Sequence, residues 1–255
     1  MARLYVFHPN WCPIALSVAR FSEMEIPADL QGKCDLFRAL RNIREPKLVS
    51  DEFLRLQDEE LKAQLEEKGI VELPIEPKIQ IWQGDITRLK IDAIVNAANS
   101  RMLGCLGPLH ACIDNAIHSA AGIQLREECN QLMLKQGHEE PIGRAKITKA
   151  YNLPCKYVIH AVGPIIPNGI PTEFQREQLA SCYHSIMQIA DENNLESVAF
   201  CCISTGEFHF PNGLAAEIAV KTVKDYLNEH AETNVKTVVF NVFKDIDYKI
   251  YHKII

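Results

Sequence analysis

The sequence contains no apolar run approaching the ~18 residues that a membrane-spanning helix needs, so an integral membrane protein is not expected. It also lacks any cluster of lysine and arginine. Its 27 basic residues face 33 acidic ones, for a formal net charge of −6. Polyanions are held by clustered cations, so nucleic-acid binding is not expected. A small anionic ligand gripped by backbone amides stays open. No Gly-Lys-Ser/Thr Walker loop, no C-x-x-C pair, no internal repeat and no low-complexity tract occurs. Residues 1–21 carry an apolar stretch broken by His8, Asn10 and two prolines, which makes a poor signal peptide. The nine cysteines are odd in number and come without a secretion signal, which points to reduced thiols and a cytoplasmic protein. Seven of them are expected to be small buried hydrophobes; Cys105 and Cys112 are set apart below.

What remains is an ordinary globular composition, 47% hydrophobic and 24% charged over 255 residues. That length suits one large domain or one domain with an appendage. Residues 1–75 look helical and unlike the rest. Leu36, Leu40 and Ile43 predict one apolar stripe, and Leu54, Leu61 and Leu65 a second, weaker one in the charged stretch Asp51–Lys68, with Gly69 as a helix stop. Mixed charge on that helix reads as a solvated face packed on the main domain. The prolines at 74 and 77 predict an extended linker. From Lys78 onward, strands at 79–83, 93–96, 157–162, 197–203 and 235–242 alternate with helices at about 110–121, 124–135, 213–228 and 245–253. A further helix is opened by a capping box at Thr172 and Gln175. Such alternation means an α/β sheet covered on both faces.

Ligands of α/β sheets collect where strands end and helices begin. Three such places carry chemistry. Gly84-Asp85-Ile86-Thr87 follows a strand and offers a carboxylate acceptor for an exocyclic amine, although a Gly-Asp turn is commonly structural. Ser204 to Gly213 joins a buried strand to a helix. Gly206 lets backbone amides turn inward, making an anion site without lysine or arginine. Phe208 and Phe210 either lie against a ligand or plug the sheet end. The third is Asn96 to Asn115, in which Cys105, His110 and Cys112 form C-x4-H-x-C. Two thiols and an imidazole suit zinc with a fourth position open, although such a grouping also arises by chance in a chain with nine cysteines. A zinc deaminase is not indicated, because Cys112 stands where H-x-E needs its glutamate.

Taken in order, Gly84-Asp85-Ile86-Thr87, Ile94-Val95-Asn96-Ala97-Ala98-Asn99, Ala116-Ile117-His118-Ser119-Ala120-Ala121-Gly122, Val158-Ile159-His160-Ala161-Val162-Gly163-Pro164 and Ser204-Thr205-Gly206 resemble a macrodomain. The stretch Gly104 to Asn115 resembles the zinc-dependent subclass, with Leu106 where that subclass has phenylalanine. The resemblance implies a three-layer αβα macrodomain with a mixed central sheet over residues 76–255 and an N-terminal helical extension over 1–75. It implies an enzyme that removes mono-ADP-ribose from modified proteins. Asp85 would accept from the adenine amine beside the Ile86 amide. Ser204, Thr205, Gly206, Glu207 and Phe208 would wrap the diphosphate and proximal ribose. Asn99 would hold the distal ribose, with Asp114 and Asn115 opening the helix behind it. Cys105, His110 and Cys112 would hold Zn2+ next to the scissile carbon, with Asp114 as a candidate general base. His118 and His160 are expected to be structural. The implied partners are ADP-ribose and an ADP-ribosylated protein, in a setting that pairs the enzyme with an ADP-ribosyltransferase and a modified carrier protein. A non-catalytic ADP-ribose reader with architectural zinc, a hydrolase of an acetylated ADP-ribose and an interaction protein working through its acidic helices are the competing readings.

Overall fold

The computed structural model of the chain describes residues 25–255, so the signal-peptide reading and Cys12 lie outside the described residues. Helix α1 spans Leu30–Ile43 and is started by Asp29, whose carboxylate accepts from the Gly32 amide at 2.8 Å. Helix α2 spans Asp51–Lys68. Ser50 caps it, Asp51 and Glu52 complement its positive end, and Gly69 stops it at φ 76°. The stripe expected on α1 does not form. Its buried residues are Ala39, Arg41 and Asn42, while Leu40 is 42% exposed. The surface that α1 meets is backbone carbonyl and amide, so polar side chains face inward. On α2, Leu61 is buried as expected, with Gln57 beside it. The linker is extended and tied down, since the Val71 amide and carbonyl pair with Arg88 and Lys90 at 2.9 Å each.

The sheet contains β1 (Ile79–Gln83), β2 (Ala93–Ala98), β3 (Ala145–Lys149), β4 (Tyr157–Val162), β5 (Ser197–Phe200) and β6 (Thr237–Val242). Their order is β1-β6-β5-β2-β4-β3, with every pairing parallel except β3 against β4. The sheet is therefore mixed. All six residues of β6 and the first four of β2 are buried, which requires cover on both faces. Helices α3 (Ile113–Ala121) and α4 (Ile123–Gln136) pack with α1 and α2. Helices α5 (Glu173–Glu192), α6 (Asn212–Glu229) and α7 (Asp245–Ile254) form the second group. The capping box at Thr172 and Gln175 is present. Tyr183, Phe200 and Phe240 meet at 5.4 and 5.8 Å between ring centroids in the core.

Five of the six strands run the same way. Their carboxyl ends therefore lie along one edge of the sheet, and the loops after β1, β2, β4, β5 and β6 gather there. Strand β5 ends at Phe200, short of the 197–203 run, since Cys201 and Cys202 make no strand pairing and a turn begins at Ile203.

Candidate active site

A cavity of about 1200 Å³ opens on this edge, and all three sequence-selected loops line it. At one end, Asp85 starts a single 3-10 turn over Ile86–Arg88. One of its carboxylate oxygens is used locally, by the Thr87 amide at 3.0 Å and the Thr87 hydroxyl at 2.6 Å. The other faces Lys68 of α2 at 3.6 Å. The buried Asn241 on β6 fixes this turn by donating to the Gly84 and Trp82 carbonyls at 3.0 and 3.3 Å. Phe243, just past β6, is 75% exposed and lines the cavity beside Asp85. Sequence reasoning missed it; an aromatic residue directly outside a parallel strand is the signal that could have found it.

The middle of the cavity is the loop after β5. Ser204 is buried with φ 65°, its Oγ without a hydrogen-bond partner among the described residues. Gly163 allows this approach, since a Cβ there would lie 2.1 Å from Ser204 Oγ. Internal bonds shape the loop: Phe210 N–H donates to the Ser204 carbonyl at 2.9 Å and His209 N–H to the Gly206 carbonyl at 3.1 Å. The amides of Gly206, Glu207 and Phe208 donate to no backbone acceptor among the described residues. Such free donors suit an anion. Of the two phenylalanines, Phe208 lines the cavity and Phe210 is buried in the core.

The far end holds Cys105, His110 and Cys112. Their donor atoms lie within 4.8 Å of one another, and Cys105 Sγ is 3.5 Å from His110 Nδ1. A tetrahedral ion with ordinary zinc–sulfur and zinc–nitrogen bonds would hold these two atoms about 3.6 Å apart. The Cys105 thiol is pulled down to about 5, chiefly by a hydrogen bond from Cys112, with the Gly107 amide and His110 assisting against burial. Cys112 is pushed up by that same contact and by burial. The two thiols thus differ in how readily each gives up its proton, and a soft divalent cation bound by both would displace the proton they share. Cys112 Sγ also caps α3, accepting from the Asn115 amide at 3.4 Å. His110 Nε2 stands 3.7 Å from Glu207, so the two loops meet across the cavity.

Behind these three residues, Asp114 is buried and its pKa is raised to about 7, chiefly by desolvation. It accepts from Asn96 at 2.8 Å and from Asn99 at 3.3 Å. The Asn99 amide donates also to the Gly104 carbonyl, so both Asn99 and Asp114 are fixed while still lining the cavity. Asn115 sits differently. It is fully buried off the cavity wall and donates to the Gly107 and Cys105 carbonyls at 2.8 and 3.5 Å. It holds the Cys105–Gly107 backbone from behind. His118 and His160 are both buried and their pKa values lowered, His160 to about 3, by desolvation.

With this geometry in view, comparisons with known proteins are decisive. The Macro domain profile matches residues 95–219. A "Protein-ADP-ribose hydrolase" of Treponema medium is 50% identical over 239 residues, 91% of this chain and 90% of its own. The chain belongs to the macrodomain family. Among solved macrodomains, one from Trypanosoma brucei in complex with ADP-ribose is 30% identical with a TM-score of 0.65, covering 84% of this chain and 94% of its own. A mutant macrodomain from Oceanobacillus iheyensis with ADPR is 35% identical at a TM-score of 0.63, covering 71% and 94%. The Treponema alignment is longer than the 180 residues after Ile75, so that likeness reaches into the helical extension.

In this macrodomain the extension is part of the cavity. Arg38, Cys34 and Asp35 of α1 and Leu61, Gln64 and Lys68 of α2 form one of its walls. Cys34 is therefore a half-buried cavity residue and not the core hydrophobe expected. Sequence reasoning passed over Arg38, Arg41, Asn42 and Arg126, four polar residues joining the extension to the 103–112 loop and to the helices behind it. Local spacing carries no signal for them, because their partners across this join lie 67 to 85 residues away.

Proposed function

We propose that this macrodomain is a zinc-dependent hydrolase that releases ADP-ribose from mono-ADP-ribosylated proteins, with acidic side-chain linkages favoured. One observation supports it above the others: a single cavity presents, in order, a carboxylate at a turn, a loop of free amides and a half-exposed Cys2His cluster. An ADP-ribose needs that order. The Asp85 carboxylate accepts from the adenine amine, and the Ile86 amide, an orphan donor at the start of its turn, lies alongside. Phe243 offers a face on which the base can stack, worth roughly 1–3 kcal/mol. The amides of Gly206, Glu207 and Phe208, with the unpartnered Ser204 hydroxyl and Thr205, surround the diphosphate. Asn99, oriented by Asp114 and the Gly104 carbonyl, holds the distal ribose.

Cys105, His110 and Cys112 are the residues that would hold zinc, and bound zinc would supply Lewis acidity beside the distal ribose. Asp114 has a pKa near neutrality and a place on the cavity wall, so it can carry a proton at that end. A glycosyl ester at the anomeric carbon needs only a positioned water and charge stabilisation to break, which suits this modest set of groups. All eight described cysteines are unpaired, in keeping with work in a reducing cytoplasm. A transferase-modified carrier protein is the partner class we favour.

The test is release of ADP-ribose from a protein modified on aspartate or glutamate, run with the wild type, His110→Ala and Asp85→Asn. Turnover by the wild type with loss in His110→Ala supports the zinc-dependent hydrolase. Asp85→Asn should weaken ADP-ribose binding about 10-fold to 100-fold, in line with loss of a charged acceptor. Binding without release from any linkage would make the chain a reader.

A further inference from the structure

We propose that helix α1 is a brace for the metal loop, and that Arg38 is the positioning residue that sets the spacing of Cys105, His110 and Cys112. This rests on the zinc reading above and assigns a task to the extension. The contacts converge on the backbone of the ligand residues themselves. Arg38 Nη2 donates to the His110 carbonyl at 3.2 Å. The same guanidinium grips Asn115 Oδ1 twice, through Nη2 at 2.7 Å and Nε at 3.2 Å. Held in that way, the Asn115 amide nitrogen is turned toward the carbonyls of Gly107 and Cys105. Arg38 thus reaches two of the three ligands, one directly and one through a fully buried amide.

A second contact falls on the residue before His110. Leu109 adopts φ 56°, a left-handed conformation that a branched side chain rarely takes. Its N–H donates to the Oδ1 of Asn42 at 3.1 Å, and Asn42 is buried on α1. The Asn42 amide in turn donates to Ser119 Oγ, which donates to Asn115 Oδ1. A strained residue pinned from outside its own loop is a residue whose conformation matters to its neighbour, here His110.

Groups that orient metal ligands from behind typically change metal affinity by about 10-fold to 100-fold when removed. Lysine can replace the charge of Arg38 but not its fork, so it cannot grip Asn115 and His110 together. The reading therefore separates geometry from charge.

The experiment measures zinc affinity of the full chain by competition with a chromophoric chelator, for the wild type, Arg38→Ala, Arg38→Lys and Asn42→Ala. Arg55→Ala, an exposed residue on α2, is the control. Each metal-free protein is melted to show that it folds. The cobalt-loaded proteins are compared by their thiolate charge-transfer bands. Arg38→Ala should bind zinc at least ~10-fold more weakly, with an altered cobalt spectrum and a lower kcat at saturating zinc. Arg38→Lys and Asn42→Ala should fall between, and Arg55→Ala should match the wild type. If Arg38→Ala does not fold without metal, Arg38→Lys carries the test alone. Unchanged zinc affinity and cobalt spectrum in the Arg38 variants would overturn the brace while leaving the zinc site intact. A wild type that takes up no zinc would overturn both readings.

Discussion

Cys105, His110 and Cys112 form one cluster of cysteine and histidine, and His118, Cys129 and His160 form another, each with its donor atoms within 4.8 Å of one another. The residue types are the same and the environments are opposite. The outer three are half-buried on the cavity wall, on a loop and a helix start. The inner three are buried among α3, α4 and β4. In the inner cluster the Asn96 amide donates to His160 Nδ1 at 3.0 Å, so the ring proton sits on Nε2 and points at Thr148 Oγ1, also 3.0 Å away. No lone pair of His160 is left for an ion. Burial pushes the Cys129 thiol far up, and a metal needs the thiolate. In the outer cluster the Cys105 thiol is instead pulled down, chiefly by its hydrogen bond with Cys112 and helped by the Gly107 amide and His110. Spacing nominates donors, and the environment decides whether they can give up their protons.

The sharpest way to break this contrast is to exchange one thiol in each cluster. Cys112→Ser should abolish stoichiometric zinc and lower ADP-ribose release by about 10³-fold, ~4 kcal/mol in the barrier. The unfolding midpoint of the metal-free protein should hardly move. Full turnover in that variant, measured with its zinc content, would remove the outer cluster from the chemistry. Acid should next attack the inner cluster. His118 and His160 are held below their ordinary range by burial, His160 at about 3, so the folded state refuses protons that the unfolded chain accepts near pH 6.5. Their contribution is complete above that pH and declines below it by up to ~1.4 kcal/mol per unit and per histidine. Urea unfolding of the metal-free chain should therefore show stability falling between pH 6.5 and 5, by less than the two histidines alone would give, because Asp114, raised to about 7, takes up a proton in the folded state over the same range and opposes them; the fall should steepen in Asp114→Asn, and a flat profile in that variant would contradict the burial argument. Cys129→Ala should cost ~1–2 kcal/mol in the same assay and leave zinc content and kcat near wild type. The smallest effect belongs to Thr148→Val, about 1 kcal/mol from leaving the His160 N–H unpaired. Zinc uptake gained by this variant would show that Thr148 alone keeps metal out.

Much of the fold was legible because parallel strands buried on both faces read as short apolar runs, as at 157–162. Strand β3 was not foreseen. Ala145-Lys146-Ile147-Thr148-Lys149 is an edge strand with two lysines, and edge strands carry the weakest pattern. The three loops that line the cavity were legible since each is continuous in sequence, whereas the walls around them were not. Apolar periodicity looks for leucine, but the inner face of α1 is Ala39, Arg41 and Asn42, chosen for carbonyls and amides that arrive from elsewhere in the chain. Asn115 was placed at the ligand for the same reason: nothing local shows that Arg38 occupies its oxygen.

The distance in sequence between α1 and its partners also sets the order in which the molecule can be finished. Arg41 donates to the Ser119 carbonyl at 2.6 Å, and Arg126 donates to the carbonyls of Arg41 and Arg44 at 2.7 and 2.6 Å. These pairs are separated by 78 to 85 residues. On a translating ribosome, α1 therefore emerges well before any of them. Until Arg126 has followed it out, the helix has no surface on which to bury Arg41 and Asn42. The first helix of the described chain thus waits for its partner surface until Arg126 has been made, and the cavity wall it supplies is completed only when synthesis has passed the loop it encloses.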